Sequence, residues 1–213
     1  GCSVTDIDGN EYQAVQIGDQ LWMKENLKVT HYNNGDEIST GYSDDDWANL
    51  STGAYAVYDD DPANADVYGN LYNWYAVDTG NLAPEGWLVP TDDEYKVLEM
   101  ALGMSESDAN NVLWRGTNEG SKLAGRADLW TDGDLENNPE FGTSGFNALP
   151  GGYRHNEGWD TNMGHICFFW SSEYGNYHAW SRKLHNWDSG VMRNNYHKSG
   201  GHSVRCVDRK SVV

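Results

Sequence analysis

The stretch of sequence that decides the fold runs from residue 147 to residue 207 and reads NALPGGYRHNEGWDTNMGHICFFWSSEYGNYHAWSRKLHNWDSGVMRNNYHKSGGHSVRCV. Its ends are patterned like a core: an apolar pair precedes a Pro-Gly-Gly turn, residues 168–170 are Phe-Phe-Trp, and residues 203–207 read as a closing strand. Its middle, residues 174–197, places aromatic side chains among Asn, Ser, Gly and Arg. Binding surfaces use this mixture because it gives contact area at low entropic cost. The pattern predicts a sheet whose ends hold the fold and whose middle binds a ligand.

The predicted binding surface consists of two neighbouring strands, residues 179–184 and 191–196, joined by a turn at residues 185–190. Alternation along the second strand places Val191 in the core and the residues at positions 192, 194 and 196 outward. The predicted ligand-binding residues are Tyr177, His178, Trp180, Arg182, Asn186, Trp187, Met192, Asn194, Tyr196 and His197.

The first of these strands has an ambiguous alternation. Ala179 and Leu184 both favour burial although they differ in parity, so a bulge between them is expected, and Trp180 is placed outward. For Trp180 or Trp187 taken singly, packing on the body of the protein stays open as an alternative.

Length and composition favour one turn-rich domain. The chain has 213 residues, of which 38% are hydrophobic and 24 are glycine. This composition can build a sizeable core but favours turns over helices. We assign residues 4–209 to a single domain. Residues 1–3 are interpreted as an N-terminal remnant or the end of a lipoprotein-type leader, and residues 210–213 as a tail.

The charge balance excludes two classes of partner. The formal net charge is -19, whereas nucleic acids and anionic lipid surfaces are bound through basic patches. No apolar run approaches the ~20 residues that a membrane-spanning helix needs. We therefore expect a protein or glycan ligand on a host or neighbouring cell, and membrane contact only through an N-terminal lipid.

The three cysteines suggest different roles. Cys167 and Cys206 lie on predicted core strands, where they would form either a disulfide or two buried thiols. Cys2 follows a small residue near the start, as at the end of a bacterial lipoprotein signal, and is the predicted lipid attachment site. A remnant of recombinant expression is the alternative interpretation of this segment.

Runs of aspartate raise the question of a metal. Residues 44–46 and 59–61 are each three consecutive aspartates, which could hold a hard cation but are more commonly solvated loops. Residues 6–10 begin like a calcium loop but lack a glutamate at the required spacing. We predict no cofactor and no metal site, with structural calcium as the open alternative.

Helical signals are few. Residues 68–77 carry apolar side chains at helical spacing and are predicted to form a buried helix. Thr91 and Glu94 form a capping box before a helix that ends at Gly103. Ser105 is predicted to cap a second, shorter helix.

Seven blocks of sequence keep the order found in a known family. The blocks are residues 4–10, 22–27, 68–77, 86–91, 148–154, 170–172 and 203–207. They resemble the Fibrobacter succinogenes major paralogous domain and together span residues 4–208. The resemblance implies an α+β, C-type-lectin-like fold, akin to formylglycine-generating-enzyme-like domains, with two main helices on a small twisted antiparallel sheet and long ordered loops.

The resemblance also implies a protein that is secreted or displayed on the bacterial cell surface. An outer-membrane lipoprotein is one way in which it could be displayed. Members occur among the variable proteins of diversity-generating retroelements, whose last strands and loops carry the diversified binding residues; here residues 174–197 occupy that place. Relatives often have cysteines where this chain has Ala56 and Ala83. If those cysteines pair in relatives, this chain lacks both halves of the bond.

These observations favour a non-catalytic, adhesin-like or receptor-like binding module. A carbohydrate-binding domain of a glycan-utilisation or pilus system is the alternative. Calcium-dependent sugar binding is disfavoured, because residues 186–188 resemble the C-type-lectin triplet only in a different order. A formylglycine-generating-type oxidase is a remote alternative, since it would need a reactive cysteine pair where Cys167 and Cys206 are predicted to be buried. We predict no enzymatic activity.

Overall fold

The computed structural model describes residues 2–213, in which short strands and helices alternate with long loops. The helices are α1 (Asp44–Ala48), α2 (Pro62–Tyr68), α3 (Trp74–Asp78), α4 (Asp92–Ala101), α5 (Glu106–Asn110), α6 (Glu119–Leu123) and α7 (Asp134–Asn137), with 3-10 turns at Tyr58–Asp60 and Arg209–Ser211. The strands are β1 (Ser3–Thr5), β2 (Glu11–Ile17), β3 (Gln20–Met23), β4 (Tyr55–Ala56), β5 (Leu71–Tyr72), β6 (Trp87–Leu88), β7 (Leu113–Arg115), β8 (Tyr153–Arg154), β9 (Asp160–Thr161), β10 (Ile166–Tyr174), β11 (His178–His185), β12 (Asp188–His197) and β13 (Val207–Asp208).

Two antiparallel sheets organise these elements. One has five strands in the order β1-β2-β3-β13-β6, and the other has four in the order β10-β11-β12-β7. The strand pairs β4-β5 and β8-β9 form two smaller sheets. The predicted α+β class is confirmed.

The helices differ from the expected two main helices. Helix α4 has ten residues, and the other six have four to seven. Only the last part of the predicted helix over residues 68–77 is helical, because α3 begins at Trp74. Its N-cap is Asn73, whose side chain accepts a hydrogen bond from the backbone N–H of Ala76. No helix in residues 2–213 is both long and apolar enough to cross a bilayer.

Strand β10 is the centre of the core because it is covered on both faces. Its first six residues are all buried, as is typical of strands that have no solvent-facing side. Cys167 and Phe169 pack in a cluster with Tyr95 of α4. Trp170 points the other way and packs in a second cluster with Trp74 of α3.

Helix α4 begins at the predicted capping box. The Thr91 hydroxyl accepts a hydrogen bond from the Glu94 backbone N–H at 3.1 Å, and the Glu94 carboxylate accepts one from the Thr91 N–H at 2.8 Å. Tyr95 and Leu98 form the buried stripe of this helix, and Ala101 is exposed. The shorter helix α5 is capped by the Ser105 side chain, also as predicted.

Two carboxylates of α4 and three arginines of the four-stranded sheet form a buried ion-pair network. Glu99 accepts from both terminal nitrogens of Arg115, at 2.6 and 2.7 Å, and from Nε of Arg182 at 3.1 Å. Asp92 accepts from Arg182 and from Arg193, in each case at 2.7 Å. All five side chains are buried. The network holds three strands against α4 and so fixes one face of the sheet.

Both terminal segments take part in the fold. Ser3 lies in β1, and the carbonyl oxygen of Cys2 accepts a hydrogen bond from the Ala14 N–H at 3.0 Å. Gly1, the first residue of the predicted remnant, lies outside the described residues. At the other end, the Ser211 hydroxyl accepts from a backbone N–H of β3 at 3.0 Å. Hydrogen bonds therefore join residues near both ends to strands of the five-stranded sheet.

All three cysteines are free thiols. Cys167 and Cys206 are fully buried in different hydrophobic clusters, so they are two buried thiols rather than a disulfide. Burial raises the pKa of each thiol to about 12, which makes the thiolate scarce at neutral pH. Cys2 is exposed.

We expect a thiol reagent at neutral pH to modify Cys2 in the native protein, and Cys167 and Cys206 only after denaturation. Replacing Cys167 by serine should lower the free energy of unfolding by about 1–3 kcal/mol, because a hydroxyl would be buried among apolar side chains. Urea denaturation measures this loss, with Cys2→Ser as the matched control that should leave stability unchanged. Rapid native labelling of Cys167 would contradict the assignment.

Candidate ligand-binding surface

The β11–β12 hairpin carries the predicted site residues but spreads them along its whole length. One group lies where β10 turns into β11, and another lies at the turn from β11 to β12. The eight residues of β11 separate these ends by roughly 23 Å, so one small ligand cannot contact both. The first group is Tyr177, His178 and His197, the second is Asn186 and Trp187, and the residues between them are Met192, Asn194 and Tyr196.

Met192, Asn194 and Tyr196 share one side of the four-stranded sheet, as predicted, and Val191 is buried on the other. Met192 pairs across the sheet with Lys183, which places both on the same side. We name this side the groove face and the side that packs on α4 the helix face. The groove face consists of Trp114, Phe168, Trp170, Ser181, Lys183, Met192, Asn194 and Tyr196. The helix face consists of Arg115, Cys167, Phe169, Trp180, Arg182, Leu184, Val191 and Arg193.

Arg182 does not belong to the binding surface, which corrects its predicted placement. The residue is 3% exposed, and its guanidinium is bound to Asp92 and Glu99 on the helix face. Burial alone would lower the pKa of Arg182, but the charges of Glu99 and Asp92 outweigh it and raise the pKa. The guanidinium therefore neutralises the carboxylates of α4 and does not face a ligand.

Trp180 also lies on the helix face, so its predicted outward placement was wrong. The Arg193 guanidinium covers it, with Cζ 4.2 Å from the ring centroid. The register between β10 and β11 shifts between Trp170 and Tyr174, opposite Ala179, and the extra residues lie in β10. Strand β11 itself has no extra residue between Ala179 and Lys183, since its register with β12 is regular there. Ala179 packs in the cluster under the groove face and Leu184 in the cluster under the helix face. Both faces of β11 are covered here.

The turn between β11 and β12 presents Trp187, whose side chain is 65% exposed. Its ring stacks on His185, with centroids 3.9 Å apart and planes 8° from parallel. Two neighbouring polar side chains make hydrogen bonds within the protein. Asn186 donates to the Asp132 carbonyl oxygen at 3.3 Å, and Asp188 accepts from the Gly190 N–H at 2.7 Å.

A groove of about 260 Å³ opens on the groove face, beside the loop that joins β8 to β9. Phe168 and His202 form its floor, with their rings stacked 4.3 Å apart. Tyr153 and Tyr196 meet Phe168 edge-on, at centroid distances of 4.8 and 4.7 Å. The polar side chains that line the groove include Lys183, His155, His197 and His202. Of the predicted site residues, the groove therefore uses Tyr196 and His197.

His202 provides a hydrogen-bond acceptor on the groove floor. Its side chain is 2% exposed. The Ser181 hydroxyl donates to the Phe169 carbonyl oxygen at 2.7 Å, so its 3.0 Å contact with Nδ1 of His202 requires the imidazole to donate. Nε2 is then unprotonated, and it has no hydrogen-bond partner within residues 2–213. Burial and the charge of Lys183 lower the pKa of His202 well below its usual value, so the ring stays neutral.

His155 and His197 have the opposite tautomer. Nδ1 of each ring accepts from the backbone N–H two residues further on, at 3.1 and 3.2 Å respectively. The proton of the neutral ring is then on Nε2, where it can be donated to a ligand. Burial and the neighbouring His178 lower the pKa of His197, which favours the neutral ring. His155 also stacks on Trp159 at the rim, with centroids 4.3 Å apart.

Lys183 is a half-buried cation between aromatic rings. Its Nζ lies 5.5 Å from the ring centroid of Phe168 and 5.8 Å from that of Trp114. Within residues 2–213 it has neither a hydrogen bond nor a carboxylate within 4.0 Å. Burial lowers the pKa of Lys183. In a chain with a net charge of -19, this ammonium group remains available to an anion.

The arrangement supplies binding groups rather than an activated nucleophile. Ser181 is fully buried and gives its proton to a backbone carbonyl, so His202 does not act as its base. No cluster of three or more His, Cys, Asp or Glu in the described part of the chain is placed to hold a metal ion. The aspartate runs serve helices instead: residues 44–46 form the first turn of α1, and Asp61 caps α2.

A larger groove of about 370 Å³ lies between the loop of residues 77–89 and Arg209. None of the predicted binding residues lines it, and Arg209 is exposed at its edge. Asn33 on its wall already donates to the Ala83 carbonyl oxygen at 2.9 Å. This groove has fewer polar side chains available to a ligand than the one on the groove face.

Sequence reasoning missed Lys183, His155 and His202. A signal for Lys183 existed, because anchoring the alternation of β11 on the buried Leu184 turns Lys183 towards the groove face. No local signal brings the two histidines together. The backbones of Arg154 and Gly201 exchange two hydrogen bonds of 2.8 Å, a contact between segments far apart in sequence.

Comparison of the sequence with known protein families gives one match. The family model described as the Fibrobacter succinogenes major domain matches residues 15–208, which include the four-stranded sheet, α4 and the groove. No curated protein and no solved structure matches the chain.

Proposed function

The chain belongs to the Fibrobacter succinogenes major domain family, and from this premise we propose that it is a non-catalytic ligand-binding module of the bacterial cell surface. One observation carries the proposal. The helix face of the four-stranded sheet is fixed by buried ion pairs, while the groove face presents half-exposed Lys183, Met192, Asn194 and Tyr196. A rigid sheet with a polar and aromatic face is suited to holding a ligand.

The same proposal includes the C-type-lectin-like arrangement and diversification of the last strands by a retroelement. The long β11–β12 hairpin, the short helices and the long loops support that arrangement. The absence of an accessible cysteine pair supports a module without oxidase activity, because Cys167 and Cys206 are buried with raised pKa values. Binding to purified glycans and cell-surface proteins, compared between the wild type and the variants below, tests the proposal.

We expect Tyr196→Ala to weaken ligand binding by about 1 kcal/mol or more, roughly fivefold, if Tyr196 is a hot spot. It should also lower the melting temperature, because the ring packs edge-on against Phe168. The measurement is a binding titration with each ligand that the wild type retains, together with thermal unfolding. Ile7→Ala is the matched control, since it removes an exposed apolar side chain far from the groove.

The variant Trp187→Ala tests whether the surface extends to the β11–β12 turn. Because the Trp187 side chain contacts mainly His185 and solvent, its loss should leave the melting temperature nearly unchanged. A ligand bound in the groove alone should be unaffected. Equal loss of affinity in Ile7→Ala and Tyr196→Ala would contradict binding at the groove face.

A further inference from the structure

Several polar side chains of the groove have no partner within residues 2–213. The hydroxyls of Tyr153 and Tyr196 and the amide of Asn156 can both donate and accept, whereas four further groups have one fixed role. Three of them donate: Nζ of Lys183 and the Nε2–H groups of His155 and His197. The fourth, Nε2 of His202, accepts, and burial of its ring fixes this atom on the groove floor. His197 is exposed, and His155 and Lys183 are partly exposed, so water can bind these donors in the free protein. A ligand that enters the groove must replace those water contacts with hydrogen bonds of its own.

The identity of these groups limits the chemistry of the ligand. Three groups can only donate and one can only accept, so a ligand that pairs with all four must present several acceptor oxygens and at least one donor. An ammonium group forms its strongest hydrogen bonds with an anionic oxygen. We propose that the groove binds an acidic sugar, a hydroxylated ring with one carboxylate, which places the carboxylate against Lys183 and donates a hydroxyl to His202. This inference rests on the proposed function and adds the class of ligand.

A sugar ring fits better than the acidic side chain of a peptide. Sugar hydroxyls both donate and accept, so one ring can satisfy the donors and the acceptor together, whereas a carboxylate side chain only accepts. The volume of about 260 Å³ lies below the ~300–1,000 Å³ of pockets for drug-sized ligands, which suits a single ring. The stacked His155 and Trp159 at the rim add a flat surface for the apolar side of the next ring.

The charge of the whole chain argues for one carboxylate rather than a polyanion. The net charge is -19. Arg115, Arg182 and Arg193 form ion pairs with the buried carboxylates of α4 and so cannot bind an anionic ligand. A polymer with a charge on every ring would be repelled by the remaining surface. A neutral glycan that carries an isolated acidic sugar avoids this repulsion and still meets Lys183.

The variant Lys183→Met separates binding from stability. Methionine keeps an unbranched apolar chain between Phe168 and Trp114 but removes a half-buried charge that has no partner in residues 2–213. We expect it to be at least as stable as the wild type in thermal unfolding, because burying an unpaired charge is unfavourable. Its affinity for methyl β-glucuronide should fall at least about tenfold. Lys210→Met, which removes an exposed lysine elsewhere, is the matched control and should bind like the wild type.

Titrations of each variant with methyl β-glucuronide and methyl β-glucoside, followed by NMR, decide the inference. Wild-type preference for the glucuronide by about tenfold, lost in Lys183→Met, supports it. Equal affinity of the wild type for the two sugars, or binding that Lys183→Met leaves intact, overturns it. The ring nitrogens of His202 give an independent readout: the Nε2 resonance should shift on binding while Nδ1 stays protonated. An unchanged Nε2 resonance in the bound state overturns the role of His202.

An array of acidic and neutral glycans distinguishes failure of this inference from failure of the proposed function. Binding to neutral glycans by the wild type and by Lys183→Met alike would overturn the acidic ligand but leave a binding module. Absence of binding to every glycan would overturn the acidic ligand as well. Binding of a purified cell-surface protein that depends on Tyr196 would then preserve the proposed function, and the lack of any such protein would remove it.

Discussion

Replacing Glu99 by alanine is expected to lower the free energy of unfolding by about 3–5 kcal/mol, the range found when one partner of a buried ion pair is removed. Glu99 is 1% exposed and accepts hydrogen bonds from Arg115 and Arg182. Without it, Arg115 has no carboxylate partner in residues 2–213, and Asp92 alone must neutralise the buried arginines of β11 and β12. The variant therefore buries an uncompensated positive charge between α4 and the sheet.

Urea denaturation of the Glu99→Ala variant measures this loss, and Asp93→Ala provides the matched control. Asp93 lies on the same helix, its side chain is 83% exposed, and its contact is a 3.5 Å approach to Lys96. Its removal should change stability by no more than about 0.5 kcal/mol. A loss below about 1 kcal/mol for Glu99→Ala would show that the ion pairs do not hold the helix against the sheet.

This network also explains why the sequence predicted the outward face of β12 correctly and that of β11 incorrectly. The alternation of β12 could be fixed from the single apolar residue Val191, because its neighbours Met192 and Asn194 are polar or flexible and face the groove. On β11 the helix face is itself polar, since Arg182 pairs there with Asp92, ninety positions earlier. A polar residue on β11 is therefore not necessarily exposed. Its face of the sheet becomes clear only when its ion-pair partners on α4 are known.

The sequence predicted correctly those features that depend on residues close together in the chain. The capping box at Thr91 and the Ser105 cap both form as predicted, because each joins groups three residues apart. The groove instead depends on the backbone bridge between Arg154 and Gly201. That bridge brings His155 beside His202, and nothing in either short segment specifies the other.

The closing segment shows the same limit of sequence reasoning in the core. Residues 203–207 were predicted to form a closing strand of the core. Val204, Arg205 and Cys206 are all fully buried, but β13 begins only at Val207. Arg205 is buried without a carboxylate partner in residues 2–213. Its guanidinium donates to four oxygens from two separate segments of the chain, and burial lowers its pKa to about 10. The four oxygens are Oδ1 of Asn26 and the carbonyl oxygens of Met23, Phe146 and Asn147.

Replacing Arg205 by lysine is expected to lower the free energy of unfolding by at least about 3 kcal/mol, and more than replacement by methionine. Lysine keeps the buried charge but cannot reach four oxygens from one ammonium group, so acceptors are left unpaired at about 1–3 kcal/mol each. Methionine leaves the same acceptors unpaired but no longer buries a charge, which offsets part of the loss. Urea denaturation compares the two variants, with Arg209→Lys at an exposed position as the control. If lysine proves less damaging than methionine, the positive charge of Arg205 is what its surroundings require, and the planar array of donors is secondary.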